Sequence, residues 1–351
     1  MEMRMSDAQR EKWIDLVKCI AILIVMLNHS VLDIPGVKFW GGMFFVPVFF
    51  VLSGFTHHSR KESFSAFLGR KAKRLLLPYI AANEVLFVFF LGKNILLNGE
   101  SFAECILKIL WNFAGAAYAR NQLIAEGAQT VFVPGSMKNM FFYRMLNSPT
   151  WFLPALFLTV VLFEAMMRIA KENRSKIWLI AVSLLCFANL YHYLIPVLLP
   201  WSLDAIPYFL LMFLCGYEMK QRKFLDFLDR KKWIAALLFV LFLVSAKING
   251  SANYSIAQYG KSTTLALYNA IASSTLLMYF MKKIGKSTPK ILTFIGQQTL
   301  FIMCYHLLVY SVLETVCPGI YPPVTIGAAL VLLTAAAWGK ERLLYAKRQR
   351  H

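Results

Sequence analysis

Charge is scarce in this chain, and acid is scarcer still. Of 351 residues only 16% are charged, with 18 Asp+Glu against 37 Lys+Arg. A soluble domain carries about 25% charged and about 45–50% apolar residues. Here 58% are hydrophobic, and mean hydropathy is +0.57. Soluble classes and intrinsic disorder are excluded on that ground. The formal charge of +19 would suit a nucleic-acid partner, but so apolar a chain has no surface for one, and none is expected. A CxxC pair, a metal-ligand spacing, a Walker A loop, a GxSxG elbow and a long internal repeat are all missing. Dithiol redox chemistry, metal catalysis, P-loop hydrolysis and α/β-hydrolase chemistry therefore have no sequence support. No small-residue cleavage site follows the first apolar run, so that run reads as a retained span.

Apolar length is what the chain has in quantity. Runs near the ~20 residues that a spanning helix needs alternate with basic loops. Spans are expected over 13–34, 39–57, 75–97, 150–168, 177–195, 204–219, 233–249, 263–281, 291–313 and 322–339. With the N-terminus in the cytoplasm, 29 Lys and Arg fall inside, among them Arg4, Arg10, Arg60, Lys61, Lys286 and Arg350. Eight fall outside: Lys38, Lys93, Lys108, Arg120, Lys138, Arg144, Lys247 and Lys261. The positive-inside rule favours that orientation. Residues 102–119 are apolar too, but a span there would invert every later loop. They read as an amphipathic or re-entrant segment within an outer loop, 98–149. The expectation is an all-α, polytopic integral membrane bundle of about ten transmembrane helices. It forms one domain over 1–351, with a basic tail at 340–351. It sits in the cell membrane with both termini cytoplasmic.

Ionisable side chains inside such runs are costly and mark candidate sites. Asp15, Lys18 and His29 share one stripe of the first span. Lys18 to His29 is eleven residues, about 20° from full register and about 16 Å of rise. A cation at the cytoplasmic mouth and an imidazole deep in the bundle suit a ligand with a charged head and a long thin arm. The competing reading has Lys18 snorkelling and His29 bonding across helices. In the second span Pro47 predicts a kink, and Ser53-Gly54 predicts a helix end with exposed backbone groups. The basic stretch that follows, with Lys71, Lys73 and Arg74 ahead of Pro78-Tyr79, suits phosphate or anionic lipid headgroups equally. His306 lies about as deep in the ninth span as His29 in the first, for a substrate contact or an interhelical bond. Glu84 could line a cavity or pair with a basic residue. Trp151 could stack on a sugar or anchor the interface. Glu164 and Glu218 read as structural. Asn249-Gly-Ser and Asn253-Tyr-Ser match the glycosylation pattern on the outer side.

These residues carry a resemblance. The chain resembles acyltransferase family 3, the multi-spanning acyltransferases that modify carbohydrates. The family's Arg-x10-His appears as Lys18-x10-His29, with Asp15 just upstream. Its PLFFFLSGY-like run is matched by Pro47-Val-Phe-Phe-Val-Leu-Ser53-Gly54-Phe55. Its RRLLP-like run is matched by Lys73-Arg74-Leu-Leu-Leu-Pro78-Tyr79. Trp151-Phe-Leu-Pro-Ala-Leu-Phe157 is similar to the run of the fucose O-acetyltransferase-like subgroup. Ile295-Gly296-Gln-Gln-Thr-Leu300 with Tyr305-His306 is similar to a late family run. Lys18 stands where Arg is usual. It keeps the charge but loses the bidentate fork, and it fits the subgroup. The resemblance implies a cytoplasmic acyl-CoA donor, usually acetyl-CoA, with no metal. The acyl group would go to a hydroxyl of a cell-surface or lipid-linked glycan. Taken together with the polar residues read above, this expects Lys18, Ser53, Gly54, Lys71, Lys73 and Arg74 at the donor and Trp151, His306 and Glu84 at the acceptor. His29 would be the general base or a transient acyl carrier, with Asp15 orienting Lys18. The rival function is a glycan exporter or flippase that performs no chemistry.

Overall fold

The apolar runs fold as helices, though not one helix per run. A computed structural model describes residues 11–32, 34, 36–58, 62–122, 145–171, 173–195, 197–285 and 288–349. Arg4, Arg10, Arg60, Lys61, Lys138, Arg144, Lys286, Arg350 and the 123–144 part of the outer loop lie outside the described residues. Thirteen α-helices are described. They are α1 (Lys12–Asn28), α2 (Pro47–Phe55), α3 (Phe64–Leu97), α4 (Phe102–Tyr118), α5 (Phe152–Ile169), α6 (Arg174–Leu194) and α7 (Ile206–Gln221). The rest are α8 (Phe224–Arg230), α9 (Lys232–Asn249), α10 (Thr263–Ile284), α11 (Lys290–Gln297), α12 (Thr299–Val316) and α13 (Pro322–Gln349). An isolated bridge, Asn253 to Gln258, is the nearest thing to a strand among the described residues.

Seven of these segments are long and apolar enough to cross a membrane: α3, Ser148–Ile169, α6, α9, α10, α12 and Pro322–Ala346. The outer helices turn apolar side chains outward, as a lipid-facing wall does. On α6 Leu179, Val182, Phe187 and Leu190 are exposed, and on α9 Leu237, Val240, Leu241 and Val244 are. In water so much exposed apolar surface would be an interaction or aggregation site. In lipid it is simply solvated.

The inner helices behave differently. Residues 206–214 of α7 are buried on every side, so the first nine residues of this 16-residue helix are core. The expected span 39–57 is not one crossing helix. A short π-helical turn, Val37–Gly41, precedes α2, whose nine residues rise only ~14 Å against a ~30 Å hydrocarbon core. Pro47 sits in the first turn of α2, where it starts the helix rather than kinking it. The helix end expected at Ser53-Gly54 falls within one residue of the observed end at Phe55. Gly54 has another use. A Cβ there would lie 1.8 Å from the Phe213 carbonyl oxygen, and one on Gly216 would lie 1.9 Å from that of Val51. The two glycines let α2 and α7 cross backbone to backbone.

Three other boundaries shift. The expected span 13–34 is helical only to Asn28, with His29 as its C-cap. The basic stretch is not a loop before a span at 75. It is the first third of α3, which begins at Phe64 with a Ser63 cap and carries Pro78 in its interior. The run 291–313 is two helices, α11 and α12, divided at Gln298. The segment 102–119 is the helix α4, closed at its start by a Ser101–Glu104 capping box. Its Phe102, Ile106, Leu110 and Phe113 form an exposed apolar stripe, while Cys105 and Asn112 are buried.

Candidate functional site

Two cavities lie in a wedge along α5, one beside α2 and one beside the turn that precedes it. The first, about 230 Å³, is lined by Ser53 of α2, by His57 and His58 just after it, and by Arg70, Lys71 and Arg74 of α3. Leu156 and Val160 of α5 and Phe213 of α7 close it. The helical register of α3 selects its cations. Positions 70, 71 and 74 fall within about 100° of one another, whereas 73 lies about 60° beyond 70, outside that arc. Lys73 accordingly lies outside the cavity and is exposed. Arg70 was not among the expected donor residues, because a loop has no face to read. Its guanidinium pairs with Glu62, and both Arg70 and Lys71 lie over the Phe67 ring at 5.4 Å. At the same mouth His57 Nε2 is 3.3 Å from Glu164, which also accepts from Arg168 Nε at 2.8 Å. A cleft with three cations, a hydroxyl and two imidazoles is suited to phosphate oxygens. Gly54 is not in it, being spent on the α2–α7 crossing.

The second cavity is smaller, about 60 Å³, and holds His29. That is well below the about 300–1,000 Å³ of ordinary ligand pockets, so it is a narrow cleft. Trp151 and Phe152 form one wall and Asn28 and Val25 another. Asn121, Asn253 and Tyr254 come from loops. Phe152 here and Leu156 in the basic cavity are one turn apart on α5, about 6 Å of rise. The two clefts are therefore neighbouring levels of one wedge.

Each wall of the His29 cleft is held from behind. The backbone N–H of His29 donates to Val25 O at 3.1 Å, which fixes the ring at the end of α1. Trp151 is 4% exposed and packs on Phe209, centroids 6.0 Å apart. The turn that presents it is pinned by buried polar residues. Asn83 Nδ2 donates to Thr150 Oγ1 at 3.0 Å, Thr150 Oγ1 donates to Asn147 O at 2.7 Å, and Asn147 Nδ2 donates to Cys304 O at 2.9 Å. His306, fully buried on α12, stands with its ring centroid 5.5 Å from that of His29. The hairpin 250–260 brings exposed Asn253 and buried Tyr254 to the cleft, and the Tyr254 hydroxyl donates to Ala266 O at 2.9 Å. The sequence held no signal for this approach. It showed only glycosylation patterns, and Asn249 is buried, with Nδ2 donating to Tyr259 O and Oδ1 accepting from Ser262 N, both at 2.8 Å.

Other expected site residues lie elsewhere. Asp15 is buried near the start of α1, fourteen residues and about 21 Å of rise from His29, so the two cannot act on one atom. Its Oδ1 is 3.8 Å from Lys18 Nζ, and its Oδ2 accepts from Gln297 Nε2 at 3.5 Å. A Cβ on Gly296 would sit 1.9 Å from the Asp15 carbonyl oxygen, so α11 is pressed onto α1 at this point. Asp15 also borders an open groove of about 890 Å³ between α11 and α13. Lys18, about a third exposed, lines neither cavity of the wedge. Glu84 lines neither one, and the buried polar residue at that turn is Asn83.

A family model described as an acyltransferase domain, that of acyltransferase family 3, matches residues 11–340. Searches among curated proteins and among solved structures gave no match. The matched region takes in α1 to α12, both cavities of the wedge and most of α13, nearly the whole chain. The chain therefore belongs to acyltransferase family 3 and is an all-helical, multi-pass membrane acyltransferase.

Proposed function

We propose that this protein moves an acetyl group from acetyl-CoA to a hydroxyl of a sugar in a cell-surface or lipid-linked glycan. The donor binds from the cytoplasm, where the positive-inside count puts the basic mouth. One observation carries the reading: a cation-lined cleft and a histidine cleft are stacked one helical turn apart along α5. CoA has a polyanionic head and a long thin arm. Arg70, Lys71, Arg74 and Ser53 would hold the phosphates, and the arm would bring the thioester up the wedge to His29. Trp151 offers a face on which an acceptor ring can stack.

His29 is the general base in this scheme. It takes the proton of the acceptor hydroxyl as that oxygen bonds to the acyl carbon. The carbon–sulfur bond breaks, and the proton passes from His29 to the CoA thiolate. The narrowness of the His29 cleft suits an acetyl group better than a long acyl chain. The fucose O-acetyltransferase-like subgroup is proposed from the resemblance in residues 151–157.

The donor half is tested by binding. Arg74→Gln or Lys71→Gln should weaken acetyl-CoA binding to the nanodisc-embedded protein about 10- to 100-fold each, as loss of a charge-assisted contact worth about 1.5–3 kcal/mol requires. Lys73→Gln, on the outer face of the same helix, should stay within twofold. Lys18→Gln should have a smaller effect than Arg74→Gln. Equal effects at positions 73 and 74 would remove the assignment of the basic cleft. A wild-type protein that binds no acyl-CoA at all would favour a glycan exporter.

A further inference from the structure

His306 is fully buried in the middle of α12, and its hydrogen bonding fixes its tautomer. Nδ1 lies 3.1 Å from Ile302 O and 3.0 Å from Met303 O. Carbonyl oxygens only accept, so Nδ1 carries a proton, and in the neutral ring Nε2 is left with a bare lone pair. That Nε2 is buried and has no hydrogen-bond partner among the described residues. An unpaired acceptor is costly in so dry a place, and such atoms in native folds call for an explanation. Since Nδ1 faces the preceding turn of its own helix, Nε2 faces away from it. One ring-width away is the imidazole of His29, with planes tilted by 44°.

The spacing of the two rings is enforced. Tyr310, one turn along α12, stands edge-on to His306 at 5.9 Å. Its hydroxyl donates to Met26 O at 3.1 Å, in the last turn of α1, just before His29. Asn147 grips Cys304 O from the other side. The end of α1 and the middle of α12 are thus tied together where the two histidines meet.

We propose that His306 is a positioning residue for acyl transfer, its Nε2 accepting the ring N–H of His29. That bond leaves the other nitrogen of His29 bare and turned into the cleft. A neutral imidazole here does what a carboxylate does behind the histidine of a hydrolytic triad: it selects the tautomer and steadies the cation that forms. The inference rests on His29 as general base. During transfer the acceptor proton moves onto the bare nitrogen of His29 and later to the CoA sulfur, while His306 keeps its Nδ1 proton throughout.

The test uses the full chain in nanodiscs with two variants, His306→Phe, which fills the space without an acceptor, and His306→Gln, whose Oε1 can reach the Nε2 position. Thioester loss from acetyl-CoA is followed with water and with a simple alkyl glycoside as probe acceptors. His306→Phe should lower kcat about 10- to 100-fold, the usual size for loss of an orienting partner, with KM for acetyl-CoA within twofold. His306→Gln should recover at least a tenth of the wild-type rate. Nitrogen-15 spectra of the histidines should show one His29 tautomer in the wild type and in His306→Gln, and a mixture in His306→Phe. Equal losses in both variants, a change confined to KM, or a single unchanged tautomer in His306→Phe would overturn the proposal. If the wild type releases no thiol while the tautomer still responds to His306→Phe, the acyl-transfer reading fails and the positioning contact stands.

Discussion

His29→Ala should abolish measurable acetyl transfer, a loss of roughly 10²–10⁴-fold in kcat, and leave acetyl-CoA binding within about twofold. The split follows from the architecture. His29 lies in the upper cleft with Trp151, a helical turn along α5 from the cleft that holds Arg70, Lys71 and Arg74. Removing the imidazole deletes the proton acceptor without touching the cations. The structural cost should be small, because the residue is the C-cap of α1 and its anchoring bond to Val25 O is made by the backbone. Binding is read with labelled donor, transfer by thiol release, and folding by thermal unfolding of the same preparation. Full transfer by His29→Ala would end the general-base assignment. A parallel loss of donor binding would instead place His29 in the donor site.

The second large effect concerns packing. Gly54→Ala should destabilise the protein by about 3 kcal/mol or more, because the added methyl has no space. It would meet the Phe213 carbonyl at 1.8 Å, and a backbone atom cannot swing aside as a side chain can. Gly216→Ala should do the same against Val51 O, at 1.9 Å. Gly92→Ala is the matched control. It lies in α3 with no heavy atom within 4 Å of the added carbon. There the change should be neutral or stabilising by up to about 1 kcal/mol, the helix propensity difference. Thermal unfolding in detergent separates the three. Since α2 carries Ser53 of the basic cleft and follows directly on Phe45 and Val46 of the His29 cleft, surviving Gly54→Ala protein should also lose transfer activity. A Gly54→Ala variant with wild-type melting would show that α2 and α7 are not in backbone contact.

These two cases differ in how far they could be read from the chain. His29 was legible, because a histidine eleven residues past a lysine in an apolar run falls on one stripe of a helix by arithmetic alone. Its nearness to His306 was only half legible. Counting residues places the two at comparable depth, but it does not say that α1 and α12 are neighbours. Gly54 reads from the sequence as a helix end, one residue from the observed one, but nothing in the sequence marks it as the point of close approach between α2 and α7. Arg70 was missed and Lys73 included for one reason. The sequence pattern reads the basic stretch as a loop, and only a helix assigns faces to positions 70–74. Asn253 and Tyr254 reach the His29 cleft through a hairpin fold that has no local signature.

The sequence by itself determined the solvent and the kind of element. An apolar excess this large demands lipid, and in lipid each backbone must satisfy its own hydrogen bonds, which helices do. It also carried the motifs by which the family is known. Tertiary structure alone decided which helices touch, and with that where the clefts lie. It made a short buried α2 out of an apparent span, and it brought α1, α5 and α12 together around His29. The physical reason is that hydropathy is as well satisfied by lipid as by another helix. Neighbours in a membrane bundle are chosen by close packing at small residues and by a few interhelical hydrogen bonds. Those contacts, Gly54 on Phe213, Asn147 on Cys304 and Tyr310 on Met26, join residues far apart in the chain.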